Sequence, residues 1–243
     1  MTRALTVATA LVLAVPSVAG CISDPGQTPD WTGVPVIPSL SLDNGVPAGD
    51  PLSQKVTYDF AVPAKAVTII NPTPTPNPAP QPSLPYLVGV YTADRAAESP
   101  GYQRVLFFFR GGFPSYQFGY VDQVLTDGPP VQVDEDGMIV DATPTGEPPT
   151  PVPMTGTTFV QLTFFNAQAH DRAKRSTVTQ TPPDPTALTV LRSAVQVSDA
   201  SGRLRYGLGI EAGQPLPLRV GEATYGDGAG GTFSVVWVDV RTG

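Results

Sequence analysis

His170 and Asp171 stand side by side, and a histidine oriented by a carboxylate is the usual general base of hydrolytic chemistry. Adjacent residues at a strand end point to opposite faces, however, and no nucleophile-elbow pattern in the chain supplies a serine for that base. The pair reads instead as hydrogen-bonding residues at a strand terminus. His170 and Cys21 are the only residues of their types, so the usual zinc sites lack ligands and no internal disulfide forms. Asp134, Glu135 and Asp136 precede Gly137 as calcium ligands do. An EF-hand loop counted from Asp134 wants Gly and Glu where Ile139 and Thr145 stand, so the cluster reads as a solvated acidic turn. Gly226, Gly228 and Gly231 spell G-x-G-x-x-G, but the strand-like run Phe233 to Val240 follows where a dinucleotide site needs a helix. That leaves a hairpin loop, and neither a metal nor a cofactor is expected. Lys and Arg total 14 against 21 Asp and Glu, a net charge of −7 with no basic run, which excludes nucleic acid as a partner.

Cys21 has a different setting. Arg3 precedes Ala4 to Val15, an apolar run too short to span a bilayer and of the length of a secretory signal core. Val18-Ala19-Gly20-Cys21 follows, and it resembles the lipobox of bacterial lipoproteins. The resemblance implies cleavage between Gly20 and Cys21 and a diacylglyceryl group on the Cys21 thiol. Residues 1–20 are then a signal peptide, and two acyl chains hold the mature protein stably on the outer face of the cytoplasmic membrane. Loss of Arg3 leaves that form one unit more negative, with no electrostatic attraction to anionic lipid.

The 29 Pro and 24 Gly are not spread evenly. From residue 21 to 83 no helical period persists, and Pro takes every second position from Pro72 to Pro82. This predicts a disordered Pro-rich tether, ending in a polyproline spacer of about 40 Å at ~3.1 Å per residue. Val56, Tyr58 and Phe60 alternate with polar residues, and Val67 to Ile70 is β-prone. These are either two edge strands docked on the domain or an apolar patch in the tether.

From residue 84 onward the chain carries about eight runs of β-branched and aromatic residues. They lie at 87–92, 104–110, 115–124, 157–167, 187–197, 203–210, 216–220 and 233–240, separated by Gly, Pro and Asp clusters. Leu204, Tyr206, Leu208 and Ile210 share one face and Arg203 and Arg205 the other. Val105 to Phe109 is apolar on both faces, as in a strand covered on both sides or one whose second face binds something. The pattern predicts an all-β fold, a small sandwich over residues 84–243. Two long loops interrupt it: 126–153, with seven Pro, six acids and no base, and 172–185.

Four patches resemble the AMIN-like domain of actinobacterial cell-envelope lipoproteins. They are Gly101 to Phe109, Phe113 to Asp122, Gln168-Ala169-His170-Asp171 and Val236-Trp237-Val238-Asp239-Val240. Gln103 stands where that family often has Asp, and Thr224 to Gly231 replaces its usual Asp-Pro-Pro-Arg turn. The resemblance implies a non-catalytic module that binds or localises to a cell-wall polymer such as peptidoglycan, or to an envelope protein. A carrier of lipid or another apolar ligand between the sheets and a wall-active hydrolase using His170 are the alternatives. Tyr116, Phe118 and Tyr120 share one face of a strand, with core packing as the default reading. Were that face open, Tyr116 and Tyr120 would form a binding platform with Arg104 and Arg110 at its rim.

Overall fold

A computed structural model describes residues 51–79, 81–127, 148–228 and 230–242, and the backbone of short strands at 42–43, 46–47, 132–133 and 139–141. All of these fall within one compact unit, Pro35–Gly243. In chain order the strands are β1 (Leu42–Asp43), β2 (Val46–Pro47), β3 (Ser53–Ala61), β4 (Val67–Ile69), β5 (Tyr86–Arg95), β6 (Tyr102–Arg110) and β7 (Ser115–Val121). There follow β8 (Gln132–Val133), β9 (Ile139–Asp141), β10 (Thr158–Phe165), β11 (Leu191–Ala200), β12 (Arg203–Ile210), β13 (Leu218–Gly226) and β14 (Thr232–Arg241). No helix occurs among the described residues.

Two five-stranded antiparallel sheets make the sandwich. Sheet I runs β3-β13-β14-β6-β5 and sheet II runs β11-β12-β10-β7-β4, while β1-β2 and β8-β9 are separate two-stranded ribbons. All eight strands read from the sequence are present, and the two that complete the sheets, β3 and β4, come from the segment read as tether. Hydrophobic alternation explains the stacking. Phe107 of β6 packs on Phe164 of β10 and Tyr206 of β12 with ring centroids 5.1 and 5.0 Å apart. Leu204, Tyr206, Leu208 and Ile210 all point inward and are at most 1% exposed. The rings occupy the inter-sheet space that an apolar ligand would need.

Sheet I is buried on its other face as well, so the Val105–Phe109 run is a strand covered on both sides. Leu106 and Phe108 are fully buried in a second, smaller cluster. Tyr91, Phe233 and Tyr225 surround Phe108 at 5.1, 5.9 and 6.2 Å.

The stretch 55–70 is docked rather than loose. β3 pairs with β13, β4 pairs with β7, and the Tyr58 ring meets Phe118 edge-on at 5.3 Å. The described part of the proline run also lies against the domain. The Asn71 side-chain amide donates to Pro114 O and to Glu222, at 3.0 and 2.7 Å. Asn77 donates through its backbone to Ser83 O and through its side chain to Pro82 O. Its amide lies over Gly111, where an added Cβ would come within 2.4 Å and where φ is +84°. The domain boundary expected at residue 84 therefore moves upstream to β3. The cause is that two asparagines give the proline run polar anchors which composition alone does not reveal.

Candidate binding site

The register of sheet I sets its outward side chains in rows. One row crosses β13, β14 and β6 as Arg219, Asp239 and Arg104, each directly opposite the next. The Arg104 guanidinium donates to both Asp239 oxygens at 2.5 and 3.0 Å, and Arg219 donates twice to Oδ2 at 2.9 and 2.7 Å. Burying charges costs several kcal/mol per ion unless hydrogen bonds offset it, and four such bonds converge on the fully buried Asp239 carboxylate. Burial works against the charge of Arg104, but its bonds to Asp239 outweigh that and raise its pKa. Two guanidiniums on one carboxylate leave a surplus positive charge.

Aromatic rings hold these guanidiniums in place. Arg104 stacks over Trp237 at 4.3 Å and near Tyr102 at 5.1 Å, and Arg219 stacks over Phe60 at 4.5 Å and Tyr102 at 4.9 Å. Trp237 lies flat across the neighbouring strand only because position 221 is glycine. A Cβ there would come within 2.2 Å of the indole and 2.5 Å of Lys55 O. Arg219 is the more open of the pair, its side chain 23% exposed against 11% for Arg104. Beside this corner an open cleft of about 790 Å³ is lined by Glu98, Pro100, Gly101, Thr189, Val190 and Arg241 among others.

The four residues expected to share a platform do not meet. Arg104 and Arg110 lie at opposite ends of β6 on the outer face of sheet I, and Arg110 bonds to Asp227 at 2.9 Å and stacks over Phe233 at 4.4 Å. Tyr116 and Tyr120 point inward from β7 in sheet II. Tyr116 is fully buried, and burial pushes its phenol well above the ordinary range. Tyr120 shares its hydroxyl with Leu216, donating to the carbonyl at 2.7 Å and accepting from the N–H at 3.0 Å, and burial raises its pKa to about 12. The face they share is core, the default reading, because sheet I closes over it. Cys21, Gly20 and the acidic run Asp134 to Asp136 lie outside the described residues.

His170 is paired, but with Asp199 rather than Asp171. Its Nδ1 meets Asp199 Oδ2 in a short contact, and Lys174 Nζ lies 3.0 Å from Nε2. Asp171 turns away and accepts from the backbone N–H groups of Ala173 and Arg175 at 2.7 and 3.0 Å. The G-x-G-x-x-G stretch closes the β13–β14 hairpin, with Asp227 N–H donating to Gly231 O at 3.0 Å. Among the described residues no group of three His, Cys, Asp or Glu side chains is placed to hold a metal.

Sequence reasoning missed the Arg219–Asp239–Arg104 row. Asp239 was visible only as part of a closing motif, and the signal that finds it is an acid at an outward position of an otherwise apolar strand.

No curated protein and no solved structure matches the chain. The model of the AMIN-like domain family matches residues 89–241, from within β5 to the end of β14. The match takes in all four patches of resemblance and most of both sheets, so the chain belongs to the AMIN-like domain family.

Proposed function

We propose that this protein is a lipid-anchored envelope lipoprotein, tethered through Cys21 to the outer face of the cytoplasmic membrane. Its AMIN-like domain holds an anionic wall polymer or envelope protein by binding alone. The observation that carries this reading is the Arg219–Asp239–Arg104 row, a surplus positive charge fixed by aromatic stacking at one corner of a protein of net charge −7. Family membership supports a role in binding at the cell wall. The ring-filled inter-sheet space speaks against the carrier reading.

The test is co-sedimentation of the full chain, extracted in mild detergent, with purified sacculi and with envelope extract. Retention should fall with rising salt and drop about tenfold in Arg219→Gln, the scale of losing one charge-assisted contact. In parallel, Cys21→Ser should move the chain out of the membrane fraction. Retention by neither material, together with turnover of wall fragments, overturns the binding reading. Unchanged fractionation of Cys21→Ser overturns the anchor.

A further inference from the structure

Sheet I has two apolar faces and only one partner sheet. Its inner face meets sheet II in a cluster drawn from both sheets, whereas every member of the outer cluster comes from β5, β6, β13 or β14. Even so, Leu106 and Phe108 of β6 and Val235 of β14 are 0% exposed. Neighbours in the same layer shield a side chain from the flanks but not from above, so burial this complete calls for a further layer on the outer face. The guanidiniums of Arg104 and Arg110 provide one over Trp237 and Phe233, toward the two ends of β6. The stretch between them needs another cover.

The ribbon β1–β2 is in place to supply it, because β2 lies against β5. Asp43 pairs with Val46, so the strands are joined by the two residues Asn44-Gly45, the strongest short signal for a hairpin. A two-stranded ribbon is marginal on its own and needs a surface to pack on. The approach to it is apolar as well. Five of the nine residues 34–42 are Val, Ile or Leu, and none is charged. The route onward to β3 points the same way. β5 and β3 are the two edges of sheet I, four strand spacings apart, or about 19 Å at ~4.8 Å each. From Pro47 to Ser53 there are six residue steps, a reach of about 20 Å. With sheet II on the inner face, the direct path between these edges crosses the outer one.

We infer that the outer face of sheet I is a docking surface for the chain's own residues 34–47, which cover Leu106, Phe108 and Val235 as a third layer of the domain. A segment joined to β3 by so few residues needs little intrinsic affinity, because its effective concentration at the face is high. One consequence rests on the anchor proposed above. With Cys21 in the membrane, the free leash is residues 22–41, about 70 Å when fully extended, and not the whole proline-rich approach.

A thiol at the centre of the face reports its cover. Val235→Cys is made in the full chain and in a full chain whose residues 34–47 are replaced by Gly and Ser at equal length, and labelling by a water-soluble maleimide is followed under native conditions. The same two chains without Val235→Cys account for any label at Cys21. Labelling at position 235 should be at least about tenfold faster after the replacement, with the unfolding transition still cooperative. Equal rates overturn the inference. So does a gain produced instead by replacing residues 131–141, which would make the β8–β9 ribbon the cover. A second arm uses the intact segment and decides the matter where the replaced chain does not fold. A short bismaleimide should join Val46→Cys to Val88→Cys or to Tyr91→Cys within one molecule. The absence of any link overturns the inference, as do links between molecules alone, which would make a second copy the cover.

Discussion

Along the outer edge of β5, the ladder groups of Leu87, Val88 and Val90 are all taken. Leu87 donates to Gln168 O at 2.9 Å, Thr179 donates to Val88 O at 2.9 Å, and Val90 donates to Gln180 O at 2.8 Å. The Thr177 hydroxyl adds a bond to Leu87 O at 2.7 Å. The chain leaving β10 crosses from sheet II to sheet I and seals that wall before returning to β11. On the opposite wall, β3 pairs among the described residues with β13 alone, and its neighbours Leu52 and Val62 are exposed. The family-matched segment, 89–241, supplies the closing stretch of the first wall, whereas β3 and β4 lie upstream of it. One wall is thus finished within the family domain. The other is made by the approach segment, which ends each sheet with a strand of its own.

Gln103 gives the strongest test of this contrast. It is fully buried on the inner face of β6, at the end of the sandwich where the crossing chain re-enters sheet II. Its carbonyl oxygen accepts from the N–H groups of Val190 and Leu191 at 2.8 and 2.9 Å, and its amide donates to Thr189 Oγ1 at 3.0 Å. Gln103→Ala strands two backbone donors in a dry site, at roughly 1–3 kcal/mol for each buried group. Chemical denaturation should show a loss of about 3 kcal/mol, and a loss below ~1 kcal/mol would mean the closed wall is held by something else. A paired comparison gives a smaller effect. Thr177→Val on the closed wall should cost about 1 kcal/mol and speed amide exchange at Val90, while Val56→Thr on the open wall should stay within ~0.5 kcal/mol. Equal costs at the two positions would erase the distinction.

Much of the sandwich was legible because period-two alternation writes burial into the strands. Leu204 to Ile210 faces inward as its pattern demands, and Val105 to Phe109, apolar at every position, is covered on both sides. The docking of β3 and β4 was legible only as one of two options, because short strands beside a proline run carry their alternation without the polar anchors that decide. Those anchors, Asn71 and Asn77, are single residues whose partners lie up to 151 positions away, as with Asn71 and Glu222. The corner row was hidden for the same reason. Arg219 and Asp239 become neighbours through the β13–β14 register and Asp239 and Arg104 through the β14–β6 register, and no spacing in the sequence announces either. Gln103, noted as a departure from the family's usual Asp, has a physical account. An aspartate accepts from two N–H groups but has no amide to donate to Thr189.

Acid pH is the gentlest way to separate the two walls. Asp171 sits at the tip of the closing stretch. Burial alone would raise its pKa, but the N–H groups of Arg175 and Ala173 and the Arg175 guanidinium, which donates at 2.8 Å, bring it below the ordinary carboxylate value. A group whose folded-state pKa is depressed stabilises the fold only while ionised. Its contribution is therefore complete above the unfolded carboxylate range near pH 4 and disappears as pH falls through the lower folded value. On the open wall the exposed Asp59 carboxylate accepts, among the described residues, from its neighbour Phe60 N–H. Amide protection at residues 177–180, taken relative to the intrinsic exchange rate at each pH, should accordingly fall as the pH drops below the unfolded carboxylate range in the wild-type chain. In Asp171→Asn that protection should be lower already at neutral pH and nearly independent of pH. An acid response that survives in Asp171→Asn would place the sensitive carboxylate elsewhere, with Asp127, bonded to Arg205 and also lowered, as the next to test.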